Sequence, residues 1–159
     1  MRGCLRALLA AAAALGLSGC YAYHAALRVA AERPAQFAPR ESEELRRLAE
    51  AASAWAGELG LAPSADLAWA REHRTPDYPY WPLAGFQGAA RRHRAVTLWL
   101  EIRDDGSELR CVIRDMDHAG ETEFTRRLRE RLERELGARF GAERLRLEKT
   151  RIGPVFFAG

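Results

Sequence analysis

The sequence has little cysteine, lysine or serine, and it lacks the motifs that carry common enzyme chemistry. Its 159 residues include three cysteines, one lysine and five serines. It contains no nucleophile elbow, phosphate-binding loop or paired-thiol motif, and its histidines do not have the spacing of a two-histidine zinc motif. The sequence therefore gives no support for an enzyme and predicts neither a cofactor nor a metal site.

Long apolar runs are also absent, except at the N-terminus. Residues 5–17 are apolar apart from Arg6 and Gly16, and Arg2 gives the segment a positive start. A membrane-spanning helix needs about 20 apolar residues, so this run is too short to be one. A short apolar core between a positive start and two small residues is typical of a secretory signal peptide.

The end of this segment, Leu17-Ser18-Gly19-Cys20, resembles the lipobox of bacterial lipoproteins. The resemblance implies that the Cys20 thiol is diacylated, that the chain is cut before Cys20, and that the new amino terminus is acylated as well. Several acyl chains anchor a protein stably, because each buried methylene adds about 0.8 kcal/mol. Position 21 is Tyr, not the Asp that favours inner-membrane retention in this family, so in a host with two membranes the resemblance implies an anchor in the outer membrane, with the domain facing the periplasm.

Removal of a signal peptide over residues 1–19 changes the charge balance. Two arginines leave with it, so 25 basic residues become 23 against 22 acidic ones, and the net charge falls from +3 to +1. This balance gives no argument for a nucleic-acid partner. Cys111 would be the one free thiol, so an internal disulfide is excluded and the fold must depend on packing.

Residues 20–40 contain Pro34, Pro39 and several alanines without sustained periodicity. This composition predicts a tether between the lipid and a single domain over residues 41–159. After Ser42, apolar residues recur every three or four positions, which predicts an amphipathic helix capped by Ser42. These apolar positions are Leu45, Leu48, Ala52, Trp55 and Leu59.

Asp105-Gly106, between two alternating runs in residues 95–115, predicts a β-hairpin. The predicted register places apolar residues opposite each other on one face, and a shift of one residue would move them all to the other face. The predicted pairs are Ile102 with Leu109, Leu100 with Cys111, Leu98 with Ile113, Arg103 with Glu108, Glu101 with Arg110, and Trp99 with Val112. Cys111 is thus expected to be a small buried hydrophobe, not a reactive thiol.

Residues 121–140 have apolar residues four apart, which predicts a second amphipathic helix, and the alternation in residues 143–152 predicts a third strand. A helical crossover would bring this strand parallel to the second strand of the hairpin. The prediction is an α+β domain with a small antiparallel-dominated sheet and both helices on one face. It is similar to a ferredoxin-like arrangement whose first strand is missing or displaced. A fourth strand would come from residues 66–90 or 153–159.

Residues 77–94 lack periodicity but hold four aromatic side chains. Such residues either anchor a protein partner or pack on the sheet edge and in the core. We select Tyr80, Trp81 and Trp99 as the predicted partner-binding residues. The basic cluster at 91–94 fits either anionic headgroups or the solvated start of a strand.

Residues 115–123 gather carboxylates around His118 between a strand and a helix. Such groups can bind a divalent ion, but their spacing matches no calcium-loop or zinc motif, and the helix dipole alone accounts for acidic residues at a helix start. Three functions therefore remain open. The first is a lipid-anchored, non-enzymatic interaction module with an envelope protein partner. The second is a binder of a small apolar or anionic envelope ligand in a pocket between sheet and helices, and the third is a metal-dependent hydrolase.

Overall fold

The computed structural model describes residues 22–38 and 42–152, which form one six-stranded sheet and three helices. The strands are β1 (Ala22–Ala30), β2 (Leu61–Pro63), β3 (Tyr80–Gly88), β4 (Val96–Arg103), β5 (Glu108–Asp115) and β6 (Leu145–Ile152). The helices are α1 (Glu43–Glu58), α2 (Asp66–Glu72) and α3 (Glu123–Phe140). Short 3-10 turns occupy Arg91–His93 and Ala142–Arg144.

The strand order is β2-β3-β4-β5-β1-β6, and every neighbouring pair is antiparallel. The elements β1-α1-β4-β5-α3-β6 have the βαββαβ arrangement of a ferredoxin-like fold. The segment β2-α2-β3 is inserted between α1 and β4 and extends the sheet beyond β4. The predicted α+β class is confirmed. The first strand is not missing, however, because β1 takes its place.

The predicted tether is wrong over residues 22–30, which form β1 in the interior of the sheet. Leu27 lies opposite both Cys111 in β5 and Leu147 in β6. The alanines of this segment are packed closely, since Ala25 and Ala26 are only 2% and 1% exposed although they face opposite sides. A strand buried on both faces shows no alternation of apolar and polar residues, which is why its sequence resembled a linker. The domain therefore begins at β1 and not at residue 41.

Both predicted helices are confirmed, with caps at their starts. Ser42 Oγ accepts a hydrogen bond from the Leu45 amide at the start of α1. Thr122 and Thr125 form a capping box at the start of α3. Each cap satisfies amide groups that have no partner inside the helix, which fixes where the helix begins.

The hairpin β4–β5 has the predicted register over the five pairs from Ile102–Leu109 to Leu98–Ile113. The expected contact between Arg103 and Glu108 is wrong. Arg103 pairs with Asp105 inside the turn, and Glu108 pairs with Arg28 of β1. Because β1 lies beside β5, it brings Arg28 within 2.8 Å of Glu108, and Arg28 takes the place expected for Arg103.

The third predicted strand, β6, runs parallel to β5, but β1 lies between them and hydrogen-bonds to both. The expected fourth strand is β3, which comes from within residues 66–90. The other candidate, residues 153–159, lies outside the described residues.

Helices α1 and α3 cover one face of the sheet and enclose the core with it. Cys111 is fully buried there, as predicted. The helices contribute to the core the side chains of Leu45, Leu48, Ala52, Trp55, Ala56, Leu128, Leu132, Leu136 and Phe140. The opposite face, which we call the open face, is left without these helices and carries polar and aromatic side chains.

Candidate functional site

The open face is built from the side chains that alternate away from the core on β1, β4 and β5. Glu101, Arg110 and Tyr78 form one hydrogen-bonded group on it. Glu101, only 5% exposed, accepts bonds from Arg110 Nε and from the Tyr78 hydroxyl, both at 2.6 Å. Burial, followed by the hydrogen bond to Glu101, raises the pKa of Tyr78 to about 12. Tyr78 therefore remains a neutral donor, and the buried carboxylate is satisfied.

A second group, Arg28, Glu108 and Tyr80, lies beside the first. The Tyr80 hydroxyl donates to Glu108 at 2.7 Å, and Arg28 Nη1 donates to Glu108 at 2.8 Å and to the Tyr80 oxygen at 3.0 Å. Arg110 lies over the Tyr80 ring, with its Cζ atom 3.3 Å from the ring centroid. The two groups are thus joined into one network that covers the middle of the open face.

A groove of about 300 Å³ lies next to this network, between α2 and strands β3 to β5. Trp99, Glu101 and Arg114 of β4 and β5 line it from the sheet, and Trp69 and His73 line it from α2. Trp69 is 62% exposed and stacks on His73, with 4.7 Å between ring centroids. We call this cavity the Arg114 groove.

Helix α2 is held in position by a bulge in β3. The register of β3 shifts between Pro82 and Ala84, and β2 pairs only with the last three residues of the strand. The carbonyls of Pro82 and Leu83 instead accept hydrogen bonds from Arg71 of α2, at 3.0 and 2.8 Å. Since these bonds attach a short helix to the part of the β3 edge that β2 does not reach, they place α2 beside the Arg114 groove.

Arg114 differs from the other arginines of this region. Arg28 pairs with Glu108, Arg110 with Glu101, and Arg74 with Asp104. In the described part of the chain no carboxylate pairs with Arg114, and its buried Nε atom has no hydrogen-bond partner. A buried donor without a partner is unfavourable, so such a group is uncommon unless something else satisfies it.

The pKa of His24 responds to the electrostatic potential of the open face. It lies opposite Arg114 in the β1–β5 register. Burial lowers the pKa of His24 below its ordinary value of 6.5, and the positive charges of Arg114, Arg110 and Arg28 lower it further. The potential at this part of the sheet is therefore positive despite the nearby Glu101.

The structure separates the three aromatic residues that the sequence singled out. Trp99 lines the Arg114 groove, whereas Tyr80 is buried in the network, with 6% exposure. Trp81 is half-buried against the core, with the guanidinium carbons of Arg71 and Arg74 5.9 and 5.8 Å from its ring centroid.

Arg114, Trp69 and His73 were not predicted from the sequence as members of one site. Trp69 and His73 are four residues apart, which is the spacing of neighbours on a helix, and that signal was present in the sequence. No sequence signal marked Arg114, because the lack of a partner for this residue depends on which strands lie beside β5 in the folded sheet.

Three of the four carboxylates of residues 115–123 are satisfied by other groups of the chain. Asp115 is buried and contacts His118 Nδ1 at 2.9 Å. Glu121 accepts bonds from Tyr23, Arg129 and Lys149, and Glu123 from Arg126 and Arg127. Across residues 22–38 and 42–152, no group of three or more histidine, cysteine or acidic side chains is arranged to hold a metal ion.

No protein-family model, curated protein or solved structure matches this chain. Of the helices that the structure describes, none is both long and apolar enough to cross a membrane. The residues of the predicted signal peptide and lipidation site, including Cys20, lie outside the described residues.

Proposed function

We propose that this protein is a lipid-anchored protein of the cell envelope whose domain binds a small anionic molecule with a planar apolar part in the Arg114 groove. The observation that carries the proposal is that the Arg114 guanidinium lines the groove and has no carboxylate partner in the described residues. The anchor is supported by the lipobox resemblance at Cys20.

The charge of the groove favours an anionic ligand. Glu101 is the carboxylate that lines it, and Arg110 neutralises that charge at 2.6 Å. Arg74, which also lines the groove, is paired with Asp104. The positive charge of Arg114 is therefore not neutralised by a carboxylate of the groove. A guanidinium binds a carboxylate or phosphate group through two parallel hydrogen bonds.

The aromatic lining favours a ligand with a planar apolar part. Trp99 on the sheet and Trp69 on α2 offer ring surfaces to the same cavity, and Trp69 is largely exposed. Ring surfaces of this kind stack with flat molecules. A volume of about 300 Å³ lies at the lower end of the range for ligand sites, so the ligand is small.

The anchor is tested by metabolic labelling with palmitate. Label is expected in the intact protein and not in Cys20→Ala, because the lipobox cysteine would carry the acyl chains. Label that persists in Cys20→Ala would contradict the anchor.

The groove is tested by calorimetric titration of the full-length protein with 2-naphthoate, a planar aromatic carboxylate. Arg114→Gln is expected to weaken binding at least about tenfold, because a hydrogen bond to a charged group contributes about 1.5–3 kcal/mol. Arg139→Gln is the matched control, since Arg139 is an exposed arginine of α3, away from the groove. The neutral 2-naphthamide should bind weakly to every variant. Equal naphthoate affinities for Arg114→Gln and Arg139→Gln would contradict the proposal.

A protein partner is the second candidate, and the exposure of Trp69 at the rim of the groove favours it. Large exposed aromatic side chains often anchor interfaces. A photocrosslinking residue at position 69 in native membranes is expected to give one abundant protein adduct under this hypothesis. Tyr80 is unsuitable for the probe because it is buried.

A further inference from the structure

We propose that the end of the domain where β1 begins lies on the membrane surface, with Arg91, Arg92 and Arg94 against the headgroups of anionic phospholipids. This inference rests on the lipid anchor at Cys20 in the proposed function. It adds a second binding surface, separate from the Arg114 groove, and it defines the orientation of the domain relative to the membrane.

The first argument is the length of chain between the anchor and the sheet. β1 begins at Ala22, two residues after Cys20, and an extended chain spans at most about 3.6 Å per residue. The start of β1 therefore lies within about 7 Å of the lipidated residue. Because β1 is hydrogen-bonded on both sides, to β5 and β6, its position fixes that of the whole sheet.

The second argument is what else lies at this end of the sheet. Tyr23 in β1 is opposite Asp115 at the end of β5, and Asp115 is opposite Val96 at the start of β4. The loops 89–95 and 116–122 therefore leave the sheet where β1 begins. Two backbone hydrogen bonds hold them there, from the Tyr23 amide to the His118 carbonyl at 2.7 Å and from the Met116 amide to the Ala95 carbonyl at 3.2 Å.

The third argument is the charge of these loops. Arg91, Arg92 and Arg94 are exposed, and within the described chain they have no carboxylate partner, unlike the arginines of the open-face network. Nearby carboxylates are already engaged, with Asp115 at His118 and Glu121 at Arg129 and Lys149. Asp117 offsets only part of the positive charge.

Anionic headgroups complement this surface. Each arginine close to an anionic leaflet strengthens membrane association roughly fivefold. The attraction acts over about 8 Å at physiological ionic strength, a distance comparable to the reach of the two residues that follow the anchor. Met116, an apolar side chain that is 40% exposed at the same end, can contact the interface beside them.

The test measures which end of the lipidated protein approaches the bilayer. A fluorophore is attached to Met116→Cys at the proposed membrane end or, as the position control, to Arg33→Cys just beyond the other end of β1. Native Cys111 does not interfere, because it is fully buried and burial raises the pKa of its thiol. The full-length protein is reconstituted into phosphatidylcholine vesicles with or without phosphatidylglycerol, which contain a lipid with a nitroxide headgroup as quencher.

We expect strong quenching at position 116 and little at position 33, with the difference enhanced by phosphatidylglycerol. The triple variant Arg91→Glu/Arg92→Glu/Arg94→Glu should lose quenching at position 116. The matched triple Arg33→Glu/Arg134→Glu/Arg139→Glu changes the net charge equally at exposed arginines elsewhere and should retain it.

Equal quenching at both positions in a palmitate-labelled protein would overturn this inference alone. Quenching at position 116 that depends neither on phosphatidylglycerol nor on the three arginines would also overturn it, because the short connection would then suffice. Absence of palmitate label would instead remove the anchor, and this inference with it.

Discussion

Trp99 of β4 lies against Gly85 of β3, and its indole occupies the space that a side chain at position 85 would need. The two residues are opposite each other in the sheet register. A Cβ atom on Gly85 would lie 2.7 Å from Cζ3 of Trp99, well inside van der Waals contact. The position of Trp99 in the Arg114 groove therefore depends on a glycine in the neighbouring strand.

We predict that Gly85→Ala displaces the indole and destabilises the protein by about 1–3 kcal/mol, the usual effect of overpacking. Urea denaturation followed by tryptophan fluorescence measures the free energy of unfolding. Naphthoate affinity should fall in the same variant. The control is Gly57→Ala in α1, where an added Cβ meets no atom within 4 Å and alanine should stabilise the helix by up to about 1 kcal/mol. Equal stability of Gly85→Ala and the wild type would contradict the packing argument.

The pair of Glu101 and Arg110 gives a second prediction. Their side chains are 7% and 13% exposed, so removal of one partner leaves a nearly buried charge. Arg110→Leu is expected to lower the free energy of unfolding by about 3–5 kcal/mol. The double variant Glu101→Leu/Arg110→Leu should be more stable than Arg110→Leu, because no unpaired charge remains. A double variant that is less stable than Arg110→Leu would contradict this prediction. It would show that the unpaired charge of Glu101 is not what destabilises Arg110→Leu.

Glu121 connects the start of α3 with the sheet and gives a pH-dependent prediction. Burial alone would raise the pKa of Glu121, but hydrogen bonds from Arg129, Tyr23 and Lys149 outweigh it and lower the pKa to about 2. Since the folded-state pKa lies below its ordinary value of 4.5, Glu121 contributes stability above about pH 5, and the contribution is lost as the pH falls toward 2.

Glu121→Gln should therefore be less stable than the wild type at neutral pH, by up to about 1 kcal/mol, because the group is partly exposed. The difference should vanish near pH 2, as measured by urea midpoints over a pH series. Glu44→Gln at an exposed carboxylate of α1 serves as the control. A difference between wild type and Glu121→Gln that is constant across the series would contradict the assignment.

The sequence predicted those parts of the fold that depend on local patterns. The Asp105-Gly106 turn and the alternation around it specified the register from Leu98 to Ile113, and Ser42 marked the start of α1. These signals are local because turn geometry and caps involve only neighbouring residues. β1 was missed because its side chains are mostly buried on both faces, so the segment lacks alternation, and its alanines indicated a linker instead.

The candidate site was harder to predict than the fold. Trp99 was singled out from its type, and it does line the groove, but Tyr80 is buried beneath Arg110. The partner of each arginine on the open face was set by strands distant in sequence, as the pairing of Arg28 with Glu108 shows. Whether Arg114 has a partner could not be known until the order of the strands was known.

His24 provides the most direct measure of the charge on Arg114, because the two residues are opposite each other in the sheet. Burial lowers the pKa of His24 from its ordinary value of 6.5, and Arg114 is the largest of the charges that lower it further. We predict that Arg114→Gln raises this pKa toward 6.5 in an NMR titration of the imidazole protons, whereas Arg139→Gln leaves it unchanged.

Because the unfolded chain binds a proton at His24 more readily than the native state, the free energy of unfolding of the wild type should fall as the pH drops below 6.5. The fall should be smaller in Arg114→Gln. Naphthoate bound beside Arg114 should raise the pKa of His24 in the wild type as well, since an anion offsets the same positive charge. An unchanged His24 titration in both Arg114→Gln and the naphthoate complex would show that the charge of Arg114 does not reach His24 and would weaken the case for an anion site.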